Sequence, residues 1–406
     1  AAAGSPAALG GVRALTPNFT AFPTNNNRTF ALHPSMAEMQ GLFNDPAGRL
    51  AIIANAGPLI TPLTKAEYQA NAASKPRPPK LFSHNDQQST WQALGPEGVR
   101  VGWGGRFGDM LASANTNTVF TSISVGGNAV FMSGQTVFQY QIGTGGATAI
   151  GNISGSLFNS AAAATAYRSI ITANNDPSSV AHLLGREQTS MTKRSIDAQA
   201  AFQNAFSGVP LTRVPNPTQY FQPSTRSNQN NNLAQQLQAV ARIIDARTTL
   251  GAGRQVFFVS MGGFDTHDNQ NRAQADLMAR LSHAIGYFDG VLGTLGLQDN
   301  VTLFTASDFG RTFTSNGDGT DHGWGAHHFV HGGAVRGREI YGRFPQVGLN
   351  QPDEVGSGSF LPGVSVDQIG GTLGKWFGLS DTQLDTVFPN LRNFGSLRDL
   401  GFMDPA

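Results

Sequence analysis

The segment VSMGGFDTHDNQ, residues 259–270, places a carboxylate and an imidazole directly after an apolar run that ends in two glycines. Asp265 and His267 are two positions apart, and the glycines let the backbone turn sharply and leave room for a ligand. An aspartate with a neutral histidine suits zinc, manganese or iron. A metal site is one interpretation. In the other, Asp265 caps the following helix and His267 makes a surface hydrogen bond.

A second segment, FTASDFGRT, ends a predicted buried strand with Asp308 and continues to Arg311. The carboxylate could bind a metal, and the guanidinium could hold an oxyanion through two parallel hydrogen bonds. The alternative is an Asp–Arg pair that only fixes a loop. Both interpretations place these two side chains at the carboxyl end of the strand.

A third segment, SNGDGTDHGWGAHHFVHGG, places Asp321 and His322 in a loop of glycines and short polar residues. Its part NGDGTD resembles a fragment of a calcium-binding turn but lacks the full loop pattern. On the strand-like stretch that follows, alternation puts His327 and His331 on one face and His328 on the other. Five of the nine histidines cluster in the first and third segments, which favours His322 as a ligand. The alternative is a glycine-rich turn followed by a packed strand.

The segment LFSHNDQQSTWQ contains a predicted helix start near Ser83 and His84. A helix N-terminus is an anion site and can depress the pKa of a nucleophile. Ser83 is therefore a candidate nucleophile. In the alternative interpretation, Ser83 or Asn85 only caps this helix.

The composition narrows the classes of protein and of metal site. The 406 residues contain no cysteine, which excludes disulfides and thiolate ligands and leaves His, Asp and Glu. The net charge is only +1, so no nucleic-acid partner is expected. No apolar stretch reaches the roughly 18–20 residues of a transmembrane helix. Few charges with much Gly and Asn fit an exported bacterial protein, and AAAGSPAALGG fits a processed or truncated N-terminus.

Strands alternate with helices most clearly in the second half of the chain. The helix predicted over 232–247 is followed by the strand QVFFVSMGG, the helix NRAQADLMARLSHAIGYFDGVLGTL and the strand NVTLFTASDFG. This order predicts parallel strands joined by right-handed crossovers, within one α/β domain over 1–406. Ligands gather at the carboxyl ends of such strands, where Asp265 and Asp308 lie.

Other regions have distinct patterns. Short β-like runs near 118–142 predict a small β-rich region at the sheet edge. Residues 157–207 are predicted to be helical with a break at Asp176-Pro177, and the Pro- and Asn-rich stretch 213–232 is predicted to be a surface loop. The apolar run RLAIIANAG predicts a buried strand.

Taken together, GGFDTHDNQ, TASDFGRT and GTDHGWG resemble domain-of-unknown-function family 1501. Its members are exported bacterial proteins placed in the alkaline phosphatase-like superfamily, beside sulfatases and phosphomutases. GPLITPLTKAEYQ, PPKLFSHNDQQSTWQ and DTVFPNLRNFGSLRDLGFM resemble the same family, so the resemblance runs from about residue 30 to the end.

This resemblance implies an α/β fold with a large, mostly parallel sheet flanked by helices on both faces. It also implies one or two divalent ions (zinc, manganese or calcium) and hydrolysis or transfer of phosphate or sulfate esters. Asp265 and His267 resemble the first metal pair of the superfamily, Asp308 the aspartate of the middle pair, and His322 the later histidine. Ser83 lies in roughly the place of the nucleophile.

The chain departs from the superfamily pattern in three ways. Phe309 stands where the middle pair has a metal-binding histidine, and the first pair is spaced by two rather than about four. The usual N-terminal strand, with its Gly-Gly-Asn-Asp segment, is expected to be absent. A missing strand would bare a row of unpaired backbone groups, so strand complementation by a neighbouring chain, or self-assembly as a homo-oligomer, is expected.

The leading functional expectation is an exported, periplasmic or extracellular, metal-dependent hydrolase of small-molecule or glycan esters. The resemblance then implies that Asp321 orients His322 or binds a second ion, that Arg311 holds the ester oxyanion, and that Ser83 attacks. The first alternative is a non-catalytic extracellular surface or filament-forming protein on the same scaffold. The second is a binding module with one remaining metal.

Overall fold

The computed structural model describes residues 11–151, 153, 155–172 and 183–404. The helices within these ranges include two long ones of 26 residues and several short ones. They are α1 (Ala37–Asn44), α2 (Lys65–Ala70), α3 (His84–Ala93), α4 (Trp103–Leu111), α5 (Ala161–Thr172), α6 (Leu183–Gly208), α7 (Asn232–Asp245), α8 (Gln270–Leu295), α9 (Val366–Phe377) and α10 (Asp381–Val387). No helix among the described residues combines the length and apolarity needed for a membrane span.

The strands are short, and most contain two to four residues. Only β3, β10 and β12 in the following list are longer. The strands are β1 (Arg13–Ala14), β2 (Ala31–Leu32), β3 (Leu50–Gly57), β4 (Ser122–Ser124), β5 (Tyr140–Gln141), β6 (Tyr220–Gln222), β7 (Ser227–Gln229), β8 (Val256–Phe258), β9 (Leu303–Phe304), β10 (Gly310–Ser315), β11 (Thr320–Gly323), β12 (Ala326–His331), β13 (Ile340–Tyr341) and β14 (Val364–Ser365).

These strands form several small sheets in the described part of the chain, so the prediction of one large, mostly parallel sheet is wrong. In a five-stranded mixed sheet, β3 pairs in parallel with β13 and β14 and antiparallel with β12, which also pairs antiparallel with β9. The three-stranded sheet β5–β4–β8 is entirely parallel. The pairs β1–β2, β6–β7 and β10–β11 are antiparallel.

The prediction failed because β8 and β9 join different sheets. β8 pairs with β4, whereas the position beside β9 is taken by β12. The chain reaches that position through the β10–β11 hairpin, which returns it in the opposite direction. Both strands are also short because Gly, Ser and Asp follow them, and these residues are rare in strands. The prediction of a sheet edge near 118–142 holds for β5, which is an edge strand of the parallel sheet, and not for β4, which is its middle strand.

The buried strand predicted from RLAIIANAG is confirmed as β3, in which all eight residues are buried. Its side chains alternate between two cores, as the pleat of a strand requires. Ile53 packs in one core with Trp103 of α4. Ile52 packs in the other with Met39 of α1 and Ile285 of α8. β3 therefore joins two halves of the hydrophobic interior.

The predictions for the segments 213–232 and 157–207 agree with the structure in part. The segment 213–232, predicted as a loop, contains the mostly exposed β6–β7 hairpin. Helices α5 and α6 confirm the helical pattern of 157–207. The predicted break at Asp176-Pro177 lies outside the described residues, as do the first ten residues of the chain.

A buried polar cluster ties β12 and β3 to α8. The carboxylate Oδ1 of Asp289 lies 3.0 Å from His331 Nε2 and accepts a hydrogen bond from Arg49 Nε at 3.0 Å. Gln298 Nε2 donates to the same oxygen at 3.1 Å. Burial raises the pKa of Asp289, but the hydrogen bonds and positive charges of His331 and Arg49 lower it further, so the pKa lies below its ordinary value. The ionised carboxylate therefore stabilises the fold.

We predict that Asp289→Asn lowers the free energy of unfolding at pH 7 by about 1–3 kcal/mol, because charged hydrogen bonds are lost. A carboxylate with a depressed pKa stabilises the fold above its unfolded pKa of about 3.9 and loses this contribution as the pH falls through the folded pKa. The deficit of the variant should therefore shrink in acid. Urea unfolding between about pH 7 and pH 2 measures it. A deficit that stays constant over this range contradicts the prediction.

Candidate metal centre

Four segments of the chain bring histidine and aspartate side chains together. Asp265 and His267 lie in the loop after β8, and Asp308 lies in the loop after β9. His322 is on β11, and His84 is the first residue of α3. We call the cluster of His84, Asp265, His267 and His322 the imidazole cluster. Its members come from segments far apart in sequence, so tertiary folding alone assembles it.

The carboxylate of Asp265 is at the centre of the imidazole cluster. Its two oxygens are contacted by three imidazole Nε2 atoms and one guanidinium. The contacts are Oδ1 with His322 Nε2 at 2.8 Å, with His267 Nε2 at 2.9 Å and with Arg311 Nη1 at 2.7 Å, and Oδ2 with His84 Nε2 at 3.4 Å. The guanidinium is positively charged, and each imidazole becomes positively charged when it is protonated. Positive charge nearby favours the ionised form of a carboxylate.

These partners also set the protonation state of Asp265. Burial raises its pKa, but hydrogen bonds from His322 and Arg311, and the nearby charges of His322 and His267, lower it further than burial raises it. The pKa of Asp265 therefore lies below its ordinary value. The carboxylate is ionised at neutral pH, as a metal ligand must be.

Each imidazole in the cluster turns its other nitrogen, Nδ1, towards an oxygen atom. The pairs are His84 with Asp308 Oδ2 at 3.2 Å, His322 with the carbonyl of Phe82 at 3.4 Å, and His267 with Asp321 Oδ1 at 3.5 Å. Carboxylate and carbonyl oxygens only accept hydrogen bonds, so they favour a proton on Nδ1. With a cation at Nε2, the proton of each neutral ring lies on Nδ1; without one, Asp265, which also only accepts hydrogen bonds, favours a proton on Nε2. Metal-binding histidines in proteins are oriented by such partners.

Two of these Nε2 atoms are close together. His267 Nε2 and His322 Nε2 are 3.2 Å apart. With both Nδ1 atoms protonated, the two Nε2 lone pairs point into the same space and repel each other unless a positive charge lies beside them. A proton, a guanidinium or a metal ion can supply that charge.

The separations between donors fit a metal ion. In a tetrahedral zinc site, two ligands at about 2.0–2.1 Å from the ion are about 3.3 Å apart. The two Nε2 atoms of His267 and His322 are 3.2 Å apart, and His84 Nε2 is 3.4 Å from Asp265 Oδ2. The ligand atoms of His84, Asp265 and His322 all lie within 4.8 Å of one another. His267 lies outside this group of three, although its Nε2 is close to that of His322. Among the ions expected, imidazole ligands favour zinc over manganese or calcium, which prefer oxygen.

Phe309, which stands where the superfamily has a metal-binding histidine, forms one wall of the imidazole cluster. Its buried ring stacks on His322 with centroids 4.2 Å apart and an interplanar angle of 13°. It meets the ring of His84 edge-on at 5.0 Å. Phe309 therefore fixes the planes of two imidazoles without ligating anything.

Arg311 is directed at Asp265 by its neighbours. Its Nε donates to Thr320 Oγ1 at 3.1 Å, and its Nη2 donates to the carbonyl of Thr320. Its guanidinium carbon lies 5.5 Å from the ring centroid of Phe309. The side chain is 14% exposed. Arg311 thus supplies a fixed positive charge to Asp265, and its expected contact with an oxyanion stays a prediction.

Two other predicted residues lie at the periphery. The Ser83 hydroxyl donates to Asp86 Oδ2 at 2.9 Å and makes no capping hydrogen bond. Its neighbours in the chain, rather than its own side chain, contact the imidazole cluster. The carboxylate of Asp321 is exposed and contacts His267 rather than His322, and Asn316 Nδ2 donates to it at 2.9 Å.

The three histidines of HHFVH do not join the imidazole cluster. His327 Nδ1 accepts a hydrogen bond from the backbone N–H of Asn55 at 3.1 Å, and His331 contacts Asp289. His328 is buried on the opposite face, and burial lowers its pKa to about 3, so it is neutral. The alternation predicted for this strand is confirmed, and these side chains belong to the packing of β12.

His84 was missing from the predicted ligands. In the sequence it lies at a predicted helix start beside Ser83, and only the serine was predicted to have a functional role there. The resemblance left His84 open, together with His322 and the histidines of HHFVH, as a replacement for the histidine that the middle metal pair lacks. Only the structure shows that His84 reaches both Asp265 and Asp308.

The comparisons with known proteins give one match. Residues 15–387 match the family described as "Protein of unknown function (DUF1501)". No curated protein gives a significant match to the chain, and no solved structure does. The matched range contains every member of the imidazole cluster.

A glycine allows the β10–β11 hairpin to approach the loop that carries His267. A Cβ atom on Gly319 would lie 2.1 Å from the carbonyl oxygen of His267 and 2.5 Å from that of Thr266. The approach is held by Asp318, whose Oδ2 accepts from the backbone N–H of Asn269 at 3.0 Å. Without this close approach, His322 on the hairpin could not reach His267.

We predict that Gly319→Ala lowers the free energy of unfolding by about 1–3 kcal/mol, because the added methyl forces two backbone segments apart. The matched control is Gly262→Ala in the same loop, where no atom lies within 4 Å of the added Cβ. The control should change stability by less than about 0.5 kcal/mol. Chemical denaturation measures both. Equal effects of the two substitutions contradict the assigned role of Gly319.

Proposed function

The chain belongs to the DUF1501 family, and we propose that it is an exported metal-dependent hydrolase of phosphate or sulfate esters. One ion, most suitably zinc, is held by His84, Asp265, His267 and His322. The placement in the alkaline phosphatase-like superfamily is part of this proposal. Its support is the order of the motifs along the chain, which follows that superfamily.

The observation that carries the proposal is the convergence of three Nε2 atoms on one carboxylate. The Nδ1 atom of each imidazole faces an oxygen, which can hold the ring proton there when Nε2 binds a cation. The ionised state of Asp265 completes a set of three nitrogens and one oxygen.

The residues around the proposed ion suit an anionic ester. A bound divalent ion supplies Lewis-acid polarisation of the phosphoryl or sulfuryl group. Arg311 holds a guanidinium beside Asp265 and can share a negatively charged oxygen with the ion. Phe309 covers one side of the cluster with an apolar ring and limits access of water there.

Ser83 is the proposed nucleophile. It precedes His84, and its hydroxyl donates to Asp86, which is buried. Hydrogen bonds from Glu97 N–H and Ser83, together with the charge of Lys80, hold the pKa of Asp86 below its ordinary value. The carboxylate is therefore ionised at neutral pH and can accept the proton of Ser83, as a weak general base, when the oxygen attacks.

One observation favours the non-catalytic alternative. Arg311 already supplies a positive charge to Asp265, so the cluster can be electrostatically balanced without an ion. In that case the protein is an extracellular surface or filament-forming protein, and the exposed apolar side chains of Ile170, Leu183 and Leu184 are candidates for contacts between copies. Electron microscopy and light scattering of the native protein test this alternative directly.

We predict that the purified protein binds one zinc ion per chain and hydrolyses an aryl phosphate or an aryl sulfate. Asp265→Ala and His322→Ala each remove a proposed ligand. Each should therefore weaken zinc binding by more than the roughly 10–100-fold expected for loss of a residue that only orients a ligand. Elemental analysis, titration calorimetry and the two ester assays measure these effects.

The matched control for that experiment is His33→Ala. His33 is a histidine outside the imidazole cluster, and its Nδ1 accepts a hydrogen bond from the backbone N–H of Ser35. It should bind zinc and turn over as the unsubstituted protein does. Circular dichroism establishes that each variant is folded. Absence of both metal and turnover in the natively folded protein rules out the proposed function.

A separate prediction concerns the nucleophile. Ser83→Ala should abolish ester turnover and keep zinc affinity within about twofold, because Ser83 is not a ligand. Calorimetry of zinc binding and kinetic assays of ester turnover, on the same variant, test whether turnover is lost while zinc affinity is kept. Persistence of turnover in Ser83→Ala would show that another group attacks.

A further inference from the structure

We infer that the space between β8 and β9 binds a β-strand of a separate polypeptide whose side chains are apolar on both faces. We call this space the strand slot and define its two walls as residues 255–259 and 301–305. The inference goes beyond the proposed ester chemistry, and no step of it depends on a bound metal.

The two walls of the strand slot are half-exposed although they are rich in apolar residues. Every residue in QVFFV (255–259) and VTLFT (301–305) has an intermediate exposure. In contrast, β3 and β4 are buried over their whole length. Apolar strands that lie between layers of helices are normally buried on both faces. The difference requires an opening beside β8 and β9.

The faces of β8 and β9 are covered, so the opening lies along their edges. Phe258 and Phe304 pack against one hydrophobic core, together with α4, α9 and α10. Phe257 and Leu303 pack against the other core, together with α6, α7 and α8. Both strands therefore lie in the layer between the same two cores.

Each of these strands is paired on one side only. Val256 N–H donates at 2.8 Å to the carbonyl that precedes β4, so the next residue, Phe257, turns its N–H and C=O away from β4. Thr305 N–H donates at 2.9 Å to a carbonyl of β12, so Phe304 turns its N–H and C=O away from β12. Within the described part of the chain, no group forms a hydrogen bond with the backbone of Phe257 or Phe304.

The unpaired edges of β8 and β9 face each other across the strand slot. The ring centroid of Phe131 lies 6.4 Å from that of Phe258 and 6.2 Å from that of Phe304. One ring therefore contacts both strands, while β4 and β12 occupy their outer sides. The two strands also run in the same direction, because the loops that follow them both reach His84.

Two facing rows of backbone N–H and C=O groups specify an extended polypeptide as the occupant, because a strand presents both groups on both of its edges. Its side chains would contact the two cores alternately, so the residues on both faces must be apolar. Neither wall contains a charged residue, which excludes a charged occupant. The length of the walls predicts a bound segment of about five residues.

The segments of this chain that could supply such a strand fit poorly. β3 is apolar on both faces, but it is already paired on one side with β12 and on the other with β13 and β14. The segments AAAGSPAALG (1–10) and ANNDPSSVAH (173–182), which lie outside the described residues, are mostly small or polar and contain Pro, which cannot donate to a ladder. A second copy offers the same segments. The occupant is therefore a strand of a different polypeptide, bound by strand addition.

Amide hydrogen exchange locates the bound strand. The probe is a blocked peptide of alternating Val and Ile, about five residues long, with two Lys at each end for solubility. In the free protein the amides of Phe257 and Phe304 should exchange quickly, because no described group accepts from them. The peptide should slow both by about tenfold or more. The amides of Val256 and Thr305 are internal controls and should be protected with and without peptide.

Two altered peptides test the chemistry of the occupant. A central Pro removes one N–H and should weaken binding by about tenfold or more. Lys at every second position leaves only one apolar face and should weaken binding at least as much, because the other face meets a hydrophobic core. Titration calorimetry measures the affinity of all three peptides. Equal binding of the peptide with one apolar face would show that the other face lies in solvent, and this would overturn the inference.

A variant of the protein tests the wall itself. Val259 lies at the end of one wall and packs against the core that also contacts Phe257, so Val259→Asp should weaken peptide binding by about tenfold or more. The matched control is Phe221→Asp, which changes an exposed apolar residue of the β6–β7 hairpin and should leave affinity within about twofold. Circular dichroism establishes folding. If Val259→Asp does not fold, the exchange of the Phe257 and Phe304 amides decides alone.

Exchange in the free protein distinguishes the other possible occupants. Protection of Phe257 and Phe304 that rises with protein concentration would show that a second copy fills the strand slot. Protection that is independent of concentration would show that the chain fills the slot itself. Either result, or the absence of protection by the Val-Ile peptide, overturns the inference. Zinc content and ester turnover enter none of these measurements, so the inference and the proposed function fail independently.

Discussion

The carboxylate of Asp265 needs positive charge around it, and the local structure follows from that need. Three imidazoles and one guanidinium, contributed by α3, the loop after β8 and the β10–β11 hairpin, meet at its two oxygens. When the proton of a neutral imidazole lies on Nδ1, beside an oxygen, its Nε2 presents a lone pair to Asp265. That arrangement needs positive charge beside it, and a proton on Nε2, the guanidinium of Arg311 or a metal ion can provide it.

The fold contributes close backbone approaches rather than a regular sheet edge. The hairpin contacts the loop of His267 because Gly319 has no side chain, and α3 contacts the loop of Asp308 through Gln87. Phe309 fills the space between the imidazoles and fixes their planes. A small mixed sheet therefore suffices to position the cluster, although the strands that precede the two aspartates belong to different sheets.

The sequence predicted the members of the site better than the architecture that holds them. The loops carrying Asp265 and Asp308 could be identified because apolar runs end there, and α7 and α8 follow their helical periodicity. The pairing of β12 beside β9 could not, because short ladders are chosen by long-range contacts rather than by local pattern. His84 was missed for the same reason, since its partners are more than 180 residues away along the chain.

The central claim is that one ion is bound by three imidazoles and one carboxylate. X-ray absorption spectroscopy at the zinc edge, on protein loaded with one equivalent of zinc, tests this claim most directly. The account predicts a four-coordinate shell with three histidine nitrogens and a carboxylate oxygen at about 2.0–2.2 Å. A shell made only of oxygens, or one containing a single imidazole, would contradict it.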